Sequence, residues 1–228
     1  MALRLESRPV GDVLVIQCHG PIVAGNDVYA LHAQVGDSLV HHADVVLQLD
    51  GVEFVDSSGL GALVRLLQTA RSKGGDLKLS HVPAMLRRSL EMTNLISQFE
   101  LYDSVDEAIT AAYLGSRYSR GIAGDARPRV LCLYESFDVR TFVREVLISA
   151  GYNAMTVANI DDAKILLKAT KAKLVLMSVH LQSYYGRPTS RVLQEIDPAI
   201  SLVVLDENFA TLEPGDAAQK LLNSVGAQ

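Results

Sequence analysis

Val45-Val-Leu-Gln-Leu-Asp50-Gly-Val-Glu-Phe-Val55-Asp-Ser-Ser-Gly-Leu60-Gly-Ala-Leu-Val-Arg65 is the stretch from which the architecture of this chain can be read. Val45–Leu49 is an uninterrupted apolar run of strand length, the pattern of a strand covered on both faces. Leu60, Leu63, Val64, Leu67 and Ala70 then recur at i, i+3, i+4 and i+7. That spacing predicts a helix with one apolar face, ended by Gly74-Gly75. The polar turn Asp56-Ser57-Ser58-Gly59 joins the two. A buried strand running through a short turn into an amphipathic helix points to an α/β domain.

The signals on either side agree with it. Leu3–Ser7 and Val13–His19 flank the turn pair Gly11-Asp12 and predict a hairpin. Asn26 or Asp27 can cap a helix carrying Val28, Leu31, Val35 and Leu39. Leu77–Leu79 is a further strand, and Pro83 can start a helix over Met85–Glu91. A short strand near Phe99–Leu101 precedes a helix from Ser104 to Leu114, whose start Ser104-Val-Asp-Glu107 is a capping box. Residues 115–128, rich in Gly and Ser with Arg117, Arg120 and Arg127, have no period and read as a linker. Beyond it Val130–Tyr134, Ala154–Val157, Leu174–Val179 and Leu202–Leu205 alternate with helical segments at Phe137–Ala150, from Asp161-Asp162 onward and around Pro188–Ile196. This predicts βαβ units and a second, parallel sheet. The expected domains are 1–114 and 129–228.

Composition sets the outer limits. A chain of 228 residues is long enough for two cores, and 49% hydrophobic residues exclude disorder. No apolar run reaches the ~18 residues of a membrane span, and the start has no apolar signal core. Cys18 and Cys132 sit in apolar runs and read as buried thiols. A soluble cytoplasmic protein is expected, with no membrane contact. The net charge of −5 argues against nucleic acid as a partner. Residues 1–114 hold eight Lys and Arg against fourteen Asp and Glu, so the acidity belongs to the first half. No cofactor or metal is expected. His41-His42 is a surface pair, and Cys-x-x-Cys, phosphate-loop and dinucleotide patterns are absent. Ser58 lacks the glycine frame of a nucleophile elbow.

The chemistry centres on Asp56-Ser57-Ser58-Gly59-Leu60-Gly61. Asp56 or Ser57 can accept backbone N–H groups at the helix start, and the two glycines leave the first turn open to a close approach by another molecule. On chemistry alone this is first a capping turn. It is also a place where a phosphate, adding about −1.5 to −2 charges, would repel a docked partner.

The hexapeptide, following Val45-Val-Leu-Gln-Leu-Asp50-Gly-Val52, closely resembles the signature of STAS domains, the family of anti-sigma factor antagonists. The resemblance covers about residues 3–114. It implies a small sheet flanked by helices, no enzymatic activity, and phosphorylation of Ser57 by an anti-sigma factor that is a serine kinase. It places the docking surface at Asp56, Ser58, Gly59 and Leu60 and, in the loop after the second strand, Gly25 and Asn26. Antagonists often carry an acid in that loop; this chain has Gly20-Pro21-Ile22-Val23-Ala24-Gly25-Asn26-Asp27, with Val23 at the acid's place.

Residues 129–228 resemble a response-regulator receiver of doubly wound, flavodoxin-like form, in degenerate and truncated shape. Of its acidic pair only Glu135 is kept, Ser178 stands at the phosphoacceptor position, Asp206 follows the fourth strand, and Lys220 lies in a helix-like tail. Such a site holds neither Mg²⁺ nor a phosphoryl group. The loop Tyr184-Tyr185-Gly186-Arg187-Pro188 is either packed on its own domain or a contact for a second protein partner. The expectation for the whole is a regulatory adaptor switched at Ser57. The alternative is a structural STAS subunit of a signalling or lipid-transport assembly.

Overall fold

A computed structural model describes residues 2–39, 44–119 and 127–226 of the protein. His41-His42 and half of the expected linker, residues 120–126, lie outside them. The chain divides into two compact units, with the division between Ala123 and Gly124.

The first unit opens with a hairpin, β1 (Arg4–Val10) antiparallel to β2 (Val13–Ile22), turning at Gly11 with φ 60°. Helix α1 (Asn26–Ser38) returns the chain to β3 (Asp44–Val55), which pairs parallel with β2. Helix α2 (Ser57–Ser72) leads to β4 (Leu77–Ser80), α3 (Ala84–Met92) to β5 (Glu100–Tyr102), and α4 (Val105–Ser119) closes the unit. The sheet order is β1-β2-β3-β4-β5. Both β2 and β3 outrun the expected strands, because β2 takes up two irregularities and continues beside β3 to Val55. One of them sets Gly51 against His19, where a side chain at 51 would collide with the imidazole.

Ile16, Leu47, Leu49, Leu77 and Leu79 form a core with Leu31 and Val35 of α1, Leu63, Leu66 and Leu67 of α2, and Leu86 and Leu90 of α3. Each such leucine contributes about 1.5–3 kcal/mol by leaving water. Helix α4 packs against β2, β3, β4 and β5 through Val105, Ala108, Ile109 and Ala112, the i, i+3, i+4, i+7 stripe. It also holds the hairpin: the Tyr113 hydroxyl donates to Val10 O (3.1 Å) and accepts from Asp12 N (2.8 Å). The helix runs past the expected boundary at Leu114 to Ser119, so the first residues of the expected linker are helical.

The second unit is a parallel sheet, β6 (Arg129–Leu133), β7 (Asn153–Val157), β8 (Leu174–Ser178) and a later strand at Ser201–Leu205. Helix α5 (Phe137–Ser149) joins β6 to β7, and α6 (Ile160–Thr170) joins β7 to β8. A two-residue ladder follows, β9 (Ser183–Tyr184) with β10 (Arg187–Pro188), then α7 (Thr189–Gln194), β11 (Ser201–Leu205) and α8 (Pro214–Gly226). The order is β11-β8-β6-β7. Val130 and Cys132 of β6 face Val143 and Leu147 of α5 and Leu221 and Val225 of α8. Cys18 and Cys132 are free and buried, and desolvation pushes each thiol up to about 12, so both are inert. Among the described residues no helix is long and apolar enough to cross a membrane.

Candidate functional site

The turn between β3 and α2 is built around Asp56. Its backbone is extended (φ −88°, ψ −179°) and it caps α2, the side chain accepting from Gly59 N at 2.8 Å. The second carboxylate oxygen accepts from Ala24 N at 3.0 Å, so one residue ties the β2–α1 loop to the start of α2. The Ala24 and Gly59 N–H groups hold this carboxyl below the usual carboxylate range, because they bond only its charged form well.

With Asp56 as the cap, Ser57 has no capping duty. It is the first residue of α2 and exposed, and among the described residues its hydroxyl makes no hydrogen bond. Ser58 is half-buried. Gly59 and Leu60, expected on a docking surface, are both buried. A side chain at Gly59 would drive into the carbonyl oxygen of Ile22 and stand 2.8 Å from Val55 Cγ1. That glycine therefore lets α2 approach β2 inside the molecule, where the sequence pattern had suggested an opening to a partner. Gly61 has only the Arg65 guanidinium near it.

The loop residues also change roles. Neither Asn26 nor Asp27 caps α1; the cap is Gly25 at φ 98°, ψ −133°, a conformation for which glycine is suited. Asn26 and Gly25 are exposed beside Ala24, while Asp27 accepts from Leu3 N at 3.0 Å and anchors the chain start. Val23 is half-buried. The exposed surface that the structure gathers around Ser57 is thus Ala24, Gly25 and Asn26 with Asp56 at its base.

At the opposite end of the strands lies a site with no signal in the sequence pattern. Lys78, 3% exposed, bonds Glu100 and lies 3.4 Å from Asp76. These residues, with Asp44 and Arg71, line a cavity of about 370 Å³. The Lys78 ammonium and then the Tyr102 hydroxyl hold Glu100 below the usual carboxylate range.

In the second unit the strand ends bring together Tyr134, Glu135, Ser178 and Asp206. Ser178 is fully buried, accepts from His180 N at 3.2 Å and lies within hydrogen-bond reach of the Tyr134 hydroxyl. Arg140 holds the Tyr134 and Glu135 carbonyls, each at 2.7 Å. Lys220, carried by α8, is paired with Asp206. Among the described residues no three His, Cys, Asp or Glu side chains converge as a metal site would require. Tyr184 and Tyr185 meet edge to face at 4.7 Å, and the Tyr184 hydroxyl donates to Asp161 of α6 at 2.5 Å. Tyr184 is thus folded onto its own unit, and Tyr185 is left 90% exposed.

Residues 4–108 match the model of the STAS domain family. The matched stretch lies within the first unit and contains the Asp56–Gly61 turn. The anti-sigma F factor antagonist of Paenibacillus polymyxa is 33% identical over 66 residues, 29% of this chain and 56% of that protein. A Thermotoga maritima protein is 35% identical over 65 residues, 28% of this chain and 58% of its own. The chain thus spans little more than half the length of the curated relatives it matches. An anti-sigma factor antagonist from Mycobacterium paratuberculosis, solved by crystallography, is 24% identical with a TM-score of 0.44, covering 49% of this chain and 94% of that one.

Proposed function

We propose that this chain is a non-enzymatic adaptor of the anti-sigma factor antagonist type, switched by phosphorylation of Ser57. The observation that carries the reading is the division of labour at the turn. Asp56 makes the structural bonds and leaves the Ser57 hydroxyl exposed and unengaged at the helix start. A phosphate there would sit next to an ionised Asp56 and add about −1.5 to −2 charges to an already acidic domain. A partner seated on Ala24, Gly25, Asn26 and Ser57 would be repelled and displaced. The Paenibacillus polymyxa relative, an anti-sigma F factor antagonist, supports an anti-sigma factor as the partner class; that this partner is a serine kinase is part of the proposal. Ser57→Ala should bind such a kinase as the parent does, and Ser57→Asp should bind more weakly, in calorimetric titration. Equal affinities would refute the switch. Intact mass after co-expression with the host kinase separates it from a purely structural subunit, which would gain no phosphate.

The second unit we read as a degenerate receiver that recruits a further protein. Its strand order β11-β8-β6-β7, with no fifth strand beyond β11 among the described residues, supports this. So do the buried Ser178 at the acceptor position and the engagement of Asp206 by Lys220. A small-molecule phosphodonor with Mg²⁺ should leave this unit unmodified, by mass.

A further inference from the structure

Arg65 lies on α2 two turns after Ser57, and its side chain is laid back toward the helix start. Its Nη1 is 3.4 Å, and its Cζ 4.0 Å, from where a Cβ on Gly61 would stand. The guanidinium thus occupies the space that Gly61 leaves empty. Gly61 is four residues after Ser57, and residues at that spacing have Cβ atoms about 5–6 Å apart on one helix face. The charge is therefore about one turn from the Ser57 side chain. Among the described residues it has no carboxylate partner.

A second group marks the same seam. His32 of α1 has a buried Nε2 without a hydrogen-bond partner among the described residues. Burial, and after it the Arg65 charge, hold that imidazole below the usual histidine range. His32 and Arg65 thus lie within electrostatic reach of each other where α1 packs on α2.

We propose that Arg65 is an internal receptor for a phosphate on Ser57, the guanidinium reaching it through the gap left by Gly61. The proposal rests on Ser57 being the modified residue. For an arginine–phosphate bond of about 2.7–2.9 Å the Arg65 side chain extends from its place beside Gly61 further toward the helix start, where the phosphate on Ser57 would stand. Asp56 opposes the new charge and Arg65 offsets it, so the modified turn stays folded and ordered. Phosphorylation then does more than repel a partner: it recruits the Arg65 guanidinium beside Gly61 and changes the surface of the seam itself.

The test places phosphoserine at position 57 of the full chain by genetic encoding, so that no kinase is needed. Three chains carry it: the parent, Arg65→Gln, and Gly61→Leu, in which the gap is filled. Phosphorus NMR follows the second ionisation of the phosphate, and nitrogen-edited NMR follows the Arg65 Nε–H. In the parent the phosphate is expected to titrate about 0.5 unit below its ordinary value of about 6. Both variants should return toward that value, and phosphorylation should move the Arg65 signal. The same titration in all three chains, with the Arg65 signal unmoved, overturns the receptor. Because the phosphate is installed directly, a host kinase that fails to modify Ser57 counts against the proposed function and leaves this measurement standing.

Discussion

Adding one methyl at Gly59 would press it against the Ile22 carbonyl and Val55, both fixed in the sheet. Gly59→Ala is therefore expected to cost about 1–3 kcal/mol, seen as a lower denaturant midpoint at unchanged slope. Ser57→Ala, at an exposed position with no bond to lose, should stay within about 0.5 kcal/mol of the parent. Two nearby groups give stability a pH dependence. Asp56 is depressed by the N–H groups it accepts, so its contribution is present above the ordinary carboxylate range and lost as pH falls through the folded value. His32 is also depressed, by burial and by Arg65. The unfolded chain therefore binds that proton more readily, and stability falls as pH drops below ~6.5. Thermal melts of His32→Gln should lose the slope between about pH 7 and 5 and keep the acid limb that belongs to Asp56.

At the scale of elements, Lys78 joins β4 to β5 from inside the sheet edge. Removing one partner of a buried ion pair leaves the other charge uncompensated, so Lys78→Met should destabilise the unit, by less than the ~3–5 kcal/mol of a fully buried pair because Glu100 is half exposed. Its signature is electrostatic: without the ammonium, Glu100 should titrate back toward the ordinary carboxylate range, measurable by carbon-detected NMR. Helix α2 and the strands around it were legible in the sequence because periodicity reports burial directly, as Leu63, Leu67 and Val45–Leu49 do. What stayed hidden depended on backbone conformation or on distant neighbours. Gly25 displaces Asn26 as cap because the loop needs φ 98°, which no side-chain preference announces. Gly59 is set by Ile22, far away in sequence, and so could be taken for an open surface. Asp27 is likewise used by a residue distant in sequence, Leu3 N, and the small β9–β10 ladder rests on left-handed Tyr185 and Gly186, a turn the loop composition only hinted at.

For the whole molecule, the division between Ala123 and Gly124 has a direct test. A chain ending at Ser119 should keep its far-ultraviolet dichroism and melt cooperatively, whereas a broad, non-cooperative transition would show that the first unit needs the second. The Tyr113 hydroxyl adds a constraint of a different kind. It clasps Val10 O and Asp12 N, so the turn made first on the ribosome is fastened by a residue made about a hundred positions later. At about 5–20 residues per second, that interval is on the order of 5–20 s of synthesis. Throughout it the nascent hairpin keeps an unfastened turn and an apolar sheet face awaiting α4, the period in which a chaperone would find this chain.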